Sequence, residues 1–206
     1  MTAIEGRVAY ASWGQRNPVN VGKKRVQAYK RQCMLTWSSL PQKRGTMPMP
    51  LTELPFGLPG HIFRSPMPFG PYDLHGEVYD QFRGEQITVV VLLASDEECL
   101  HKTGRNLREF YLQEGLQVLY LPIPDFSVPA KDALEQAVRH TIAYAQAGHH
   151  IAVHCSAGIG RTGLFTAYLA KRYLGLSGHE ALQWVRQYIP HAAETPEQQR
   201  LVLHEN

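Results

Sequence analysis

Apolar residues in this chain fall into short blocks that alternate between two spacings. Ile87–Ala94, ITVVVLLA, is a continuous Val-rich run, the pattern of a strand buried on both faces. Leu116–Ile123 and Ile151–His154 repeat that pattern, and Ile62–Arg64 reads as a further short strand. Between them the period changes. Lys131–Ala147 puts Leu134, Val138, Ile142 and Ala145 on one face at helical spacing. Leu74–Phe82 predicts a short helix. Ser95 with Glu98 spells a capping box, and the helix it opens is expected to run on through Asn106–Gln113. Arg161–Leu174, His179–Tyr188 and Glu197–His204 predict three more helices, which close the chain. Strands alternating with helices imply an α/β fold, a mostly parallel central sheet flanked by helices, in a single domain.

The segment 41–60, PQKRGTMPMPLTELPFGLPG, is rich in Pro and Gly and has no sustained period. It reads as linker or extended chain, with the compact body starting near Leu58. The domain boundary is drawn at 50/51: residues 1–50 as a basic N-terminal extension and 51–206 as the folded body. Charge separates the two. The first 50 residues hold nine Lys or Arg against one acid, Glu5; the other 156 hold 12 basic and 17 acidic residues. Val26, Tyr29, Cys33, Trp37 and Leu40 recur at helical spacing, so an amphipathic helix is expected over 23–40. Such a helix suits an anionic membrane or an acidic partner, or packing against the acidic body.

Composition narrows the classes further. No apolar run approaches the ~20 residues needed to span a bilayer, and the N-terminus lacks the pattern of a secretory signal. The three cysteines, Cys33, Cys99 and Cys155, are odd in number and far apart, unlike a disulfide framework. A cytoplasmic location is expected. The ten His form no H-x-H or HExxH cluster, so neither a metal nor another cofactor is expected. No aromatic-interleaved basic groove appears, and no specific nucleic acid is predicted as a partner.

The chemistry is concentrated in the stretch from Ile151, IAVHCSAGIGRTGLFTAYLAKRYLG, which reads as buried strand, small-residue loop and helix. Gly158, Gly160 and Gly163 flank the turn into the helix, and five residues separate Cys155 from Arg161. Successive backbone N–H groups of Ser156, Ala157, Gly158, Ile159 and Gly160 can point into one concavity, a nest for an anion. The helix adds its positive N-terminal end. Arg161 can close over a phosphate with two parallel hydrogen bonds. A thiol in such a field is largely thiolate at neutral pH and lies ready to attack the phosphorus. Thr162 brings a hydroxyl near the sulfur. His154 is placed under the loop, either shaping it through its ring nitrogens or as a satisfied core residue. Asp125, just past the strand Leu116–Ile123, is the candidate general acid. The helix Lys131–Ala147 and the strand Ile151–His154 follow it, so one βαβ unit brings Asp125 and Cys155 to the same carboxyl edge. Cys99 follows the strand Ile87–Ala94 and is a candidate to trap an oxidised Cys155 as a disulfide.

HCSAGIGRTG, from His154, resembles the signature loop of cysteine-based protein tyrosine phosphatases across all ten residues. PIPDFSVP resembles the acid loop of the small dual-specificity branch, and IPHAAETPEQ the segment that closes its catalytic domain. The resemblance implies a phosphoprotein phosphatase over 51–206. In it Cys155 is nucleophile, Arg161 clamps phosphate and Asp125 gives the proton. The implied partners are phosphorylated proteins. No counterpart to the phosphotyrosine-recognition loop of the larger members is found, which leaves phosphotyrosine against phosphoserine or phosphothreonine open. Gln198 reads as a surface helix position, with a loose resemblance to a residue that places the hydrolytic water. Rival readings are a phosphoinositide or RNA 5′-phosphatase of the same superfamily, and a non-catalytic phosphoprotein-binding module. The loop interior Ser156–Gly160 carries no charge, which argues against multiply phosphorylated headgroups.

Overall fold

The structure, a computed structural model, describes residues 51–204. The basic extension and the helix expected over 23–40 lie outside the described residues. The body is an α/β fold: a five-stranded sheet with helices on both faces. Its strands are β1 (Thr52–Leu54), β2 (Ile62–Ser65), β3 (Ile87–Leu92), β4 (Gln117–Tyr120) and β5 (His150–His154). Its helices are α1 (Glu77–Gly84), α2 (Asp96–Thr103), α3 (Leu107–Gln113), α4 (Lys131–Gln146), α5 (Gly160–Leu174), α6 (Gly178–Val185) and α7 (Pro196–His204). The strand order is β1-β2-β5-β3-β4; only β1 runs antiparallel to its neighbour.

The sheet divides the core in two. Phe63, Val90, Leu92 and Ala152 face α1–α3 and join Val78, Phe82, Cys99, Leu107 and Tyr111 in one buried cluster. The alternate residues, among them Val89, Val91, Ile151 and Val153, are buried on the other side. There α4 packs on β4 and β5, α5 on β5, and α6 and α7 on α5. Burial on both faces explains why β3 reads as an unbroken apolar run.

Four expectations are corrected. The body does not begin near Leu58: β1 lies inside the expected linker and pairs with β2 from Thr52↔Arg64 to Leu54↔Ile62. Leu51, Leu54 and Phe56 are buried, so this Pro-flanked stretch serves as an edge strand, where proline is tolerated. The helix expected from Ser95 to Gln113 is two helices. Gly104, left-handed at φ 71°, ends α2, and the Asn106 side chain caps α3 by accepting the Glu109 N–H. The helix expected from Leu74 begins only at Glu77, because Asp73 turns inward and accepts the N–H groups of Phe69 and Val78. Finally, β4 is shorter than Leu116–Ile123. The chain after it still bonds to the end of β3, Leu121 N–H to Leu92 O and Ile123 N–H to Leu93 O.

Candidate active site

The carboxyl ends of β3, β4 and β5 meet at one edge, as the topology requires, and the candidate residues gather there. β4 and β5 are parallel but not adjacent; β3 lies between them. After His154 the chain forms the loop 155–159 and enters α5 at Gly160. Gly158 has φ 73°, and a Cβ on it would run into the Ser65 carbonyl, so the loop lies directly against the end of β2. The Met67 N–H donates to Ser156 O at 2.8 Å, a second tie to the same segment. Among the described residues the N–H groups of Ser156, Ala157, Gly158 and Ile159 meet no acceptor. Together with the first turn of α5, which has no side-chain cap, they form a set of donors beside Cys155. The Cys155 residue itself is only 3% exposed.

His154 is fully buried below the loop, which suits either of its two readings. Its Nδ1 lies 3.1 Å from the Cys155 carbonyl and its Nε2 2.9 Å from the Tyr111 hydroxyl. A carbonyl only accepts, so Nδ1 carries the proton and Nε2 accepts from tyrosine. Burial, outweighing the Cys155 carbonyl bond, lowers the His154 pKa to about 4 and keeps the ring neutral. Burial likewise raises Tyr111 well above the ordinary phenol value, so it remains a donor.

Arg161 is buried and its fork is already engaged. Nη1 and Nη2 donate to the two Glu98 oxygens at 2.6 and 2.8 Å, and Nη1 also donates to Ile123 O at 3.0 Å. Nη2 lies 3.1 Å from Asp125 Oδ1. Burial would weaken the guanidinium as a base, but the Glu98 bonds and the negative charge of Cys155, Glu98 and Asp125 outweigh it and raise its pKa. Burial pushes Glu98 up, yet the bonds from Arg161 and Lys102 prevail and hold its carboxyl at about 2. The capping box is therefore half made: Ser95 Oγ accepts the Glu98 N–H, but the Glu98 carboxylate turns to Arg161. Lys102, one turn on, bonds Glu98 and also donates to Ser156 Oγ at 2.8 Å. An ammonium thus sits at a loop whose interior residues, Ser156–Gly160, are uncharged.

Asp125 lies beside Arg161 at the carboxyl edge of the sheet. The Asp125 side chain is 51% exposed, against 17% for Glu98. Phe126 beside it is left-handed at φ 60° and 61% exposed. Gln198 is not a surface residue, which corrects the sequence reading. It is 1% exposed, because its side chain turns inward from α7 and donates to Ser127 O at 3.1 Å. It also accepts the Thr195 N–H. The Thr162 hydroxyl is buried with no hydrogen-bond partner, the sulfur included. Cys99 is buried in α2, and burial, with the nearby Glu98 and Asp96 charges, raises its thiol to about 12, which makes it a poor attacking group. Glu98, Lys102 and Tyr111 are the site residues that sequence reasoning missed. A weak signal existed for Glu98 in the capping-box spelling, and none for the other two.

Similarity to known proteins points the same way. The family model for "Polymorphic toxin system, DSP-PTPase phosphatase" matches residues 73–173. The crystal structure of a mutant form of Tk-PTP has 32% identity and a TM-score of 0.59, covering 68% of this chain and 86% of that one. The chain belongs to the protein tyrosine phosphatase superfamily, and its relatives include dual-specificity members. Mouse dual specificity protein phosphatase CDC14B is 38% identical over 145 residues, 70% of this chain and 26% of its own length. Mouse laforin is 38% identical over 61 residues, 29% of this chain and 18% of its own length. The chain spans about a quarter or less of these two curated relatives. No helix among the described residues is long and apolar enough to cross a membrane.

Proposed function

We propose that this phosphatase hydrolyses phosphorylated proteins through a phosphocysteine intermediate. The observation that carries the reading is the convergence of the unengaged N–H groups of 156–159, Cys155, and Arg161 with Asp125 3.1 Å away. The phosphate of a phosphotyrosine sits in the loop and takes two donors of Arg161; Glu98 keeps the guanidinium turned toward it. Phosphate also displaces the exposed Asp125 carboxylate from Arg161. The Cys155 thiolate attacks phosphorus in line, the P–O ester bond breaks, and Asp125 gives its proton to the leaving oxygen. Water then attacks the phosphocysteine with Asp125 as base. Phosphate leaves and the thiolate returns. Gln198, anchored to the acid loop through Ser127 O, aligns that water. The thiolate does the work of an activated water, so added metal is not required.

A second reading rests on Lys102. Its ammonium beside Ser156 gives the loop a positive charge that its own sequence lacks, as an additional phosphate group needs. The test is one panel, run without added metal: phosphotyrosine, phosphoserine and phosphothreonine peptides, phosphoinositides and triphosphorylated RNA, on wild type and Cys155→Ser. The first reading expects turnover of phosphopeptides, phosphotyrosine among them, that is absent in Cys155→Ser. Preference for phosphoinositides that Lys102→Met removes supports the second. Turnover that survives in Cys155→Ser overturns both.

A further inference from the structure

Arg64 is a buried arginine that no acid neutralises. It lies on β2, is 4% exposed, and its Nε has no hydrogen-bond partner. Among the described residues no carboxylate pairs with it. Buried charges in proteins are normally paired, because an isolated one loses its hydration without return. The sheet register locates the missing counter-charge. Arg64 stands opposite Val153 on parallel β5, so the two side chains share a sheet face, and Cys155, two residues on, has the same parity. Ser65, next to Arg64, presses its carbonyl against Gly158 of the loop. Burial lowers the Arg64 pKa, and the Cys155 charge is what opposes that effect.

We propose that Arg64 is a positioning residue for the reaction: a fixed positive charge on the sheet side of Cys155 that holds its sulfur as thiolate. This rests on the reading of Cys155 as nucleophile. The other groups around the sulfur leave room for such a role. Arg161 of α5 is turned to Glu98 and Asp125, which spend much of its charge before a substrate arrives. His154 of β5 is neutral. Lys102 of α2 reaches Ser156, but shares its charge with Glu98. Arg64 alone among these cations has no anion of its own.

Alkylation of Cys155 by iodoacetamide, an uncharged probe, is read by mass spectrometry of the Cys155 peptide at pH 6.0 and pH 9.5. Wild type is expected to react rapidly at both. Arg64→Met and Arg64→Gln are expected to react at least ~10-fold more slowly at pH 6.0, yet within about 3-fold of wild type at pH 9.5, where thiols ionise without help. Arg64→Lys, which keeps the charge, is expected to restore the pH 6.0 rate to within about 3-fold. A role in shape alone would slow both pH values together, and that result overturns the proposal. So does a folded neutral variant that matches wild type at pH 6.0. If neither neutral variant folds, Arg64→Lys decides: a wild-type ratio of the two rates supports the charge, and a ratio reduced ~10-fold overturns it. Slow reaction of wild type itself at pH 6.0 is a different failure, because it removes the nucleophile reading on which Arg64 depends.

Discussion

At Arg161 three acceptors share one guanidinium: the Glu98 carboxylate, the Ile123 carbonyl and the Asp125 carboxylate. Only Asp125 is exposed enough to yield its place to a phosphate. Asp125→Asn is expected to lower kcat ~10²–10⁴-fold on an alkyl phosphate and much less on p-nitrophenyl phosphate, whose leaving group needs little protonation. Steady-state kinetics on the two substrates check this, and equal losses would mean a structural aspartate. Glu98 leaves a signature in stability as well. Its carboxyl is held at about 2 in the fold, below the ordinary value of 4.5. Its contribution, on the order of 3 kcal/mol, is therefore complete above pH 4.5 and is lost as pH falls toward 2. Urea unfolding of Glu98→Gln against wild type should show a gap that narrows across that window; a gap constant with pH would contradict the assignment. His154 acts at higher pH. The fold refuses a proton down to about pH 4, whereas the unfolded ring takes it up near 6.5. Stability should therefore fall from pH 6.5 to 4, and His154→Asn should flatten that part of the curve.

The elements that hold the site in register differ in how far the sequence reveals them. The strand, loop and helix around Cys155 were legible because every constraint there is local: a buried run, glycines at the turn, an apolar helix face. β5, the loop and α5 fall within a residue or so of expectation. The role of α2 was not legible, because Glu98 and Lys102 meet Arg161 and Ser156 across 63 and 54 residues of sequence. Gln198 was misread for the same reason: nothing in helical spacing reveals that α7 turns this side chain onto Ser127, 71 residues away. β1 escaped because its pairing with β2, not its own composition, makes it a strand. Gln198→Ala cuts the tie between α7 and the acid loop. It is expected to lower kcat about 10-fold with KM little changed, since phosphate binding rests on other groups. A change in KM alone would show that the tie serves binding rather than turnover.

For the whole molecule, the described body contains every residue assigned to the chemistry, from Arg64 to Gln198. A chain starting at Leu51 is expected to keep kcat on a small aryl phosphate within a few-fold of the full-length protein. One starting at Leu58 loses β1 and the buried Leu51, Leu54 and Phe56 side chains, and its Tm should drop clearly. Paired kinetics and thermal melts of the two truncations separate these outcomes, and a folded but inactive Leu51 chain would mean that residues 1–50 take part in turnover. The central claim is covalent: phosphate passes through Cys155. Its most direct test is an acid quench of the enzyme turning over a phosphotyrosine peptide, followed by mass spectrometry of the peptide that holds the loop. The account predicts a fraction of that peptide heavier by one phosphoryl group, attached to Cys155 and absent in Cys155→Ser. Brisk turnover with no such species at any quench time, together with activity retained in Cys155→Ser, would contradict it.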